Sequence, residues 1–100
     1  MESTAVKLVG PVIRGMDAQL ADAVIAAMEV DNPNSEIMVD DQVGYIRISV
    51  EREARLTRKS MEEELGHPFR LSELEPALSG FAGRMKVGDD EVVWYLERTN

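Results

Sequence analysis

The chain has 100 residues, 44% hydrophobic and 30% charged, a composition typical of a soluble globular domain. Nineteen acidic and eleven basic residues give a net charge of −8, which disfavours contact with a phosphate backbone and excludes nucleic acid as an expected partner. The absence of cysteine excludes disulfides, thiolate catalysis and thiolate-bound metal sites.

The longest apolar stretch, Ala23 to Met28, is too short to span a membrane, and the first residues lack the features of a secretion signal. We therefore expect no membrane partner and a cytoplasmic location. The length predicts one domain over residues 1–100, with a flexible start at residues 1–7.

The first third of the chain predicts a strand, a helix and a stop. Leu8 to Ile13 is apolar and β-branched, and Pro11 within it predicts an edge strand or a bulged one. Asp17 is suited to cap a helix from Ala18 to about Met28. Asp31-Asn32-Pro33 should end that helix, since the residue before a proline disfavours helical backbone.

Strands are predicted next at Glu36 to Asp40 and at Tyr45 to Val50. In the second strand, apolar and polar residues alternate, which indicates a sheet with one face on the core. A short strand at Ala54 to Thr57 is expected to pair back through the corner at residues 51–53.

Two further helices follow. The first begins at Thr57 or at Ser60, where a capping-box pattern starts, and Gly66 is placed to end it. The second is predicted from about Ser72 to Ser79, because another capping-box pattern begins at Ser72.

A hairpin closes the chain. Its strands are predicted at Phe81 to Val87 and Val92 to Leu96, with Trp94 in the core and Tyr95 exposed. The resulting order is β-α-β-β followed by β-α-α-β-β. The predicted fold class is α+β, with the helices packed on a mostly antiparallel sheet.

Residues able to perform chemistry are few. His67 is the only histidine, and its place between a glycine and a proline is typical of a surface turn. Glu64 and His67 have the spacing found in di-iron helical bundles, but only one copy exists and Gly66 interrupts it. Consecutive glutamates at 62–64 point in different directions on a helix and predict a solvated acidic face.

Three segments taken together resemble one family. They are Val9 to Gly15, Asp31-Asn32-Pro33, and Leu56 to Phe69 with its acidic helix, glycine stop and turn. Their order resembles that of the small effector (coupling) proteins of soluble di-iron multicomponent monooxygenases, in particular the toluene, phenol and alkene systems. The resemblance covers residues 8 to 97. Arg70 and Pro76 depart from the family pattern, at the start of the predicted third helix.

The resemblance implies no cofactor, no metal and no catalytic residues. It implies a protein that docks on the di-iron hydroxylase component and couples electron delivery and O₂ activation to hydroxylation or epoxidation of a hydrocarbon. Competition with the ferredoxin or reductase component for the hydroxylase is a further expectation. On this basis the partner-contact residues are predicted to be Asn32, Pro33, Tyr45, Gly66, His67, Pro68, Phe69, Ser79 and Gly80.

Two other interpretations share this order of elements. A small ligand-sensing α+β module would bind a metabolite and dimerise through a sheet edge. A self-sufficient enzyme of this size would need a polar pocket built on Asp, Glu or Tyr, since His67 is the only histidine.

Overall fold

The computed structural model describes residues 7–96 as seven strands, two α-helices and two short 3₁₀ segments. The flexible start predicted for residues 1–7 lies outside the described residues, apart from Lys7. The strands are β1 Leu8–Arg14, β2 Met38–Asp41, β3 Tyr45–Glu51, β4 Glu53–Thr57, β5 Leu78–Ala82, β6 Arg84–Val87 and β7 Glu91–Tyr95. The helices are α1 Ala18–Asp31 and α2 Arg58–Leu65, and the 3₁₀ segments are Gly15–Asp17 and Leu71–Ala77.

The first sheet has the strand order β2-β3-β1-β5, with every pair antiparallel. The prediction of an edge position for β1 is wrong, because β1 lies between β3 and β5. The alternative of a bulged strand is confirmed, since the register against β5 shifts between Val12 and Ile13. Pro11 is tolerated there because Gly10 and Pro11 are not among the residues that β1 pairs with β3.

The second sheet has the order β4-β7-β6, again antiparallel. The expectation that β4 pairs back on the preceding strand is wrong, because β4 pairs with β7. Arg52 has a φ of 74°, the left-handed region, and turns the chain out of the first sheet between β3 and β4. Its N–H donates to the Lys7 carbonyl at 2.9 Å, which anchors this corner to the start of β1.

The strand predicted at Phe81 to Val87 is divided between the two sheets. Gly83 separates β5 from β6 with a φ of 87°. A Cβ at this position would lie 2.6 Å from Val9 Cγ1 and 2.7 Å from the Tyr95 carbonyl oxygen. Only glycine fits this crossing without displacement, so the single predicted strand becomes an edge strand of each sheet.

The helix α2 begins where Thr57 provides the cap. The Thr57 hydroxyl accepts the Ser60 N–H at 3.2 Å, and Gly66 ends the helix in the left-handed conformation at a φ of 79°. Both of those predictions are confirmed. The alternative start at Ser60 is wrong, since Ser60 is buried inside the first turn.

The third predicted helix is a 3₁₀ segment, shorter than expected. It begins at Leu71 after Arg70, whose N–H donates to Glu73 Oε2 at 2.9 Å. The cap predicted at Ser72 is therefore wrong, and so is the helix end at Ser79, which lies in β5. Pro76 inside this segment removes a backbone donor and is compatible with a short 3₁₀ helix.

The core lies where the two helices cover the sheets, and α1 packs mainly on α2 and β4. Its largest fully buried side chains include Trp94, Met28, Leu56 and Met61. Trp94 is confirmed as core, and Tyr95 on the opposite face is 37% exposed. The fold class is confirmed as α+β on antiparallel sheets. Among residues 7–96, no helix combines the length and apolar character needed to cross a bilayer.

Candidate functional site

The Asp31-Asn32-Pro33 turn fastens the end of α1 to the second sheet. Asn32 Nδ2 donates to the Met28 carbonyl at 2.8 Å and to the Arg55 carbonyl at 2.7 Å, and Asn32 Oδ1 accepts the Arg55 N–H at 2.9 Å. The amide therefore completes the helix end and pairs with the backbone of β4 in the manner of a neighbouring strand.

The Asp31 carboxylate extends this connection to α2. It accepts the Thr57 N–H at 2.7 Å, the Thr57 hydroxyl at 3.0 and 3.1 Å, and the Ser60 hydroxyl at 2.7 Å. A carboxylate at this helix start satisfies donors that the helix leaves unpaired and interacts favourably with its dipole. Asp31 and Asn32 thus fix three elements, α1, β4 and α2, in one arrangement, while Pro33 is exposed beside them.

Tyr45, Ser79 and Gly80 lie in the first sheet on the two sides of β1. Tyr45 pairs with Arg14, and Gly80 pairs with Val12. Tyr45 is half-buried, with the Arg47 guanidinium 5.6 Å from its ring centroid. Ser79 is exposed, and its hydroxyl donates to the Val12 carbonyl at 3.4 Å. The structure therefore brings these three predicted residues to one region.

The segment from Gly66 to Phe69 connects α2 to the 3₁₀ segment. Gly66, His67 and Pro68 are exposed, and His67 Nδ1 lies 2.9 Å from the Pro68 carbonyl oxygen. Phe69 is only 6% exposed and belongs to the core, so its ring is not part of the surface in this arrangement. Of the four residues predicted here as partner contacts, only Gly66, His67 and Pro68 lie on the surface.

Glu62 holds this segment against α2. One of its carboxylate oxygens accepts the Phe69 N–H at 2.9 Å and the Arg58 Nε–H at 3.1 Å. These hydrogen bonds, first that from Phe69 and then that from Arg58, lower the pKa of Glu62 below its ordinary value. The interaction fixes the Phe69 backbone against α2, while its ring packs in the hydrophobic core.

The predicted contact residues thus form separate regions rather than one cluster. Asn32 and Pro33 adjoin the second sheet through Arg55, and Tyr45, Ser79 and Gly80 flank β1 in the first sheet. Among residues 7–96, the two most exposed large apolar residues are Met16 and Val43, at 78% and 102%, and neither was selected from the sequence. A valine between Gln42 and Gly44, in a predicted turn, was the available indication, because turns favour Gly, Asn and Asp.

The described residues offer little geometry for catalysis. Among residues 7–96, no group of three or more His, Asp or Glu side chains is arranged to hold a metal ion. An open cleft of about 680 Å³ lies beside the start of α2, lined in part by Asp31, Thr57 and Ser60. The polar side chains of these three residues already bond one another, so these three form a satisfied structural cluster at the start of α2.

Comparison with known proteins decides between the remaining interpretations. Residues 7–95 match the MmoB/DmpM family. This chain belongs to the MmoB/DmpM family. The effector subunit of the alkene monooxygenase system of Xanthobacter autotrophicus is 50% identical over 90 residues, which are 90% of this chain and 87% of that protein.

Two solved structures of regulatory-protein systems have a fold similar to that of this chain. A chain in a phenol hydroxylase–regulatory protein complex has a TM-score of 0.74 and 27% identity, covering 91% of this chain and all of that one. The regulatory protein B of soluble methane monooxygenase has a TM-score of 0.67 at 17% identity, covering 97% of this chain and 70% of that one, and supports the fold alone. The relatives are named as effector or regulatory proteins, and this chain is a regulatory, non-catalytic member of the MmoB/DmpM family.

Proposed function

We propose that this chain is a cofactor-free effector that binds the di-iron hydroxylase component of a multicomponent monooxygenase. On binding, it couples electron transfer and O₂ activation to the oxidation of a hydrocarbon. The observation that carries the proposal is the 50% identity to an alkene monooxygenase effector subunit over 90% of this chain. A phenol hydroxylase–regulatory protein complex that contains a chain 27% identical to this one supports the hydroxylase as the class of partner.

The physical mechanism is differential binding. A protein without catalytic groups shifts an enzyme towards an active conformation only by binding that conformation more tightly than another. The coupling free energy for such effects is typically about 1–3 kcal/mol, a factor of roughly 5 to 150 in equilibrium. A surface must keep its shape to discriminate in this way, and the Asp31–Asn32 connection between α1, β4 and α2 supplies that rigidity.

Among substrates, we propose an alkene rather than a phenol or toluene, and epoxidation as the reaction of the complete system. Identity is 50% to the alkene system's effector and 27% to the chain from the phenol hydroxylase complex. We also propose that the effector competes with the ferredoxin or reductase component for part of the hydroxylase surface. The acidic net charge of −8 supports attraction to basic hydroxylase regions of the kind that an electron carrier would use.

The test is reconstitution with the hydroxylase and electron-transfer components of the Xanthobacter autotrophicus alkene monooxygenase system. Epoxide formed per electron donor consumed is measured with increasing amounts of this chain, and the system's own effector subunit is the positive control. We expect the ratio to rise and saturate, and excess effector to slow electron transfer. No binding and no change in the ratio, while the control subunit works, would refute the proposal.

A further inference from the structure

The end of the first sheet displays two apolar side chains that the core does not use. Met16 follows β1 and is 78% exposed, while Val43 lies in the turn between β2 and β3 and is fully exposed. The Gly15 N–H donates to the Gly44 carbonyl at 3.1 Å, so the two segments are hydrogen-bonded to each other. Tyr45 follows that turn, half-buried, and we name Met16, Val43 and Tyr45 the sheet-end patch.

The fold gives no reason for these residue types. A turn favours Gly, Asn or Asp, whereas a β-branched valine at this position contributes neither turn geometry nor core packing. The turn is nevertheless well fixed, since the Gln42 N–H donates to the Tyr45 carbonyl at 2.8 Å and Gln42 Nε2 donates to Asp40 Oδ1 at 2.6 Å. An apolar group on a fixed backbone loses little conformational entropy on binding, which is the property of an efficient contact residue.

The composition of the region matches the centre of a protein interface. Methionine, tyrosine and arginine are enriched in such centres, and the Arg47 guanidinium here lies over the Tyr45 ring. Charged side chains of both signs border the patch, since Asp17, Asp40 and Asp41 lie beside Arg14, which pairs with Tyr45, and Arg47, which pairs with Asp40. Such a surface is complementary to an apolar depression whose rim carries charges of both signs, and the net charge of −8 favours a partner with a basic surface overall.

We infer that the sheet-end patch inserts into an apolar depression of the hydroxylase component and supplies a main part of the binding energy. This inference rests on the proposed function, which supplies the partner. It also connects with the residues expected from the family resemblance, because Tyr45 belongs to the patch and Gly80 lies across β1 from it. The region around Asn32 then supports the surface from a distance instead of forming its centre.

The experiment measures binding to the hydroxylase component of the Xanthobacter autotrophicus alkene monooxygenase system by calorimetry. The variants are Val43→Ser, Met16→Ser and the double variant, and the matched control is Val30→Ser. Val30 is 60% exposed on the last turn of α1, beside Asn32, so the same substitution is made on a different surface. Melting temperatures followed by Trp94 fluorescence establish that each variant is folded.

We expect Val43→Ser to raise the Kd about tenfold or more, the double variant to raise it further, and Val30→Ser to leave it within about twofold. If the unsubstituted chain binds and the patch variants bind equally well, the inference is wrong while the proposed function stands. Equal weakening by Val30→Ser would also overturn it. If the unsubstituted chain does not bind, both the inference and the proposed function fail.

Discussion

Replacing Asn32 by alanine removes three hydrogen bonds of 2.7 to 2.9 Å, two to the Arg55 backbone in β4 and one to the Met28 carbonyl in α1. A net contribution of about 1 kcal/mol for each bond gives an upper value of about 3 kcal/mol. Asn32 is half-buried and Arg55 is exposed, so water replaces part of what is lost. We therefore expect the free energy of unfolding to fall by about 2 kcal/mol, which corresponds to roughly 10 °C in Tm for a domain of this size.

The assay is urea unfolding followed by the fluorescence of Trp94, which is the only tryptophan and is fully buried. The control is Asn34→Ala, an exposed asparagine two residues away, for which we expect a change below about 0.5 kcal/mol. Asn32→Asp keeps an acceptor for the Arg55 N–H but loses both donations, so it should not restore stability.

An Asn32→Ala variant with the stability of the unsubstituted chain would refute this reasoning. If that variant were stable but bound the hydroxylase weakly, Asn32 would be a contact residue, as the family resemblance first implied. A loss of stability with binding retained at low temperature would establish the structural role.

Three further predictions concern stability at low pH, Gly83 between β5 and β6, and the hydrophobic core. Because the folded-state pKa of Glu62 lies below its ordinary value of 4.5, its contribution is present above that pH and is lost as the pH falls through the folded value. In urea unfolding, Glu62→Gln should therefore have a lower free energy of unfolding than the unsubstituted chain at pH 7, and this difference should shrink as the pH falls. Glu63→Gln is the control. A difference that does not depend on pH would contradict the prediction. Gly83→Ala should lower the Tm more than Gly66→Ala, for which we expect a loss of about 1 kcal/mol from the positive φ alone. Both residues have positive φ, but only at Gly83 would a Cβ also clash with its neighbours. Equal changes in Tm would contradict the argument that only glycine fits between β5 and β6. Met61→Ala, at a fully buried site, should cost about 2–5 kcal/mol in urea unfolding, against less than about 0.5 for Met16→Ala; a small loss at Met61 would mean that the core collapses around the gap.

Local patterns predicted the elements well and their partners poorly. Thr57 and Gly66 were identified as helix ends because capping depends on the residue and its near neighbours. Ser60 has the same local pattern but turns inward to Asp31, which is 29 residues away in the chain and does not enter a capping rule. The division of the closing strand at Gly83 likewise depends on Val9 and Tyr95, which meet it only in the folded molecule.

The candidate site shows the same limit. His67 and Pro68 were expected at a turn and are exposed, while the adjacent Phe69 packs in the core and its N–H donates to Glu62. Asn32 was selected as a contact residue, yet its amide is occupied by Met28 and Arg55. Met16 and Val43 were not selected, because their exposure depends on the end of a sheet whose strand order the sequence pattern does not specify.

The central place of β1 has a consequence for synthesis and folding. Val12 pairs with Gly80, so β1 lacks one of its two neighbours until β5 has been translated. Pairings between such distant residues require closure of large loops, which slows folding relative to helical proteins of equal size. The first sheet should consequently gain stable structure only after β5 has been translated, and a chain truncated before β5 should remain unfolded.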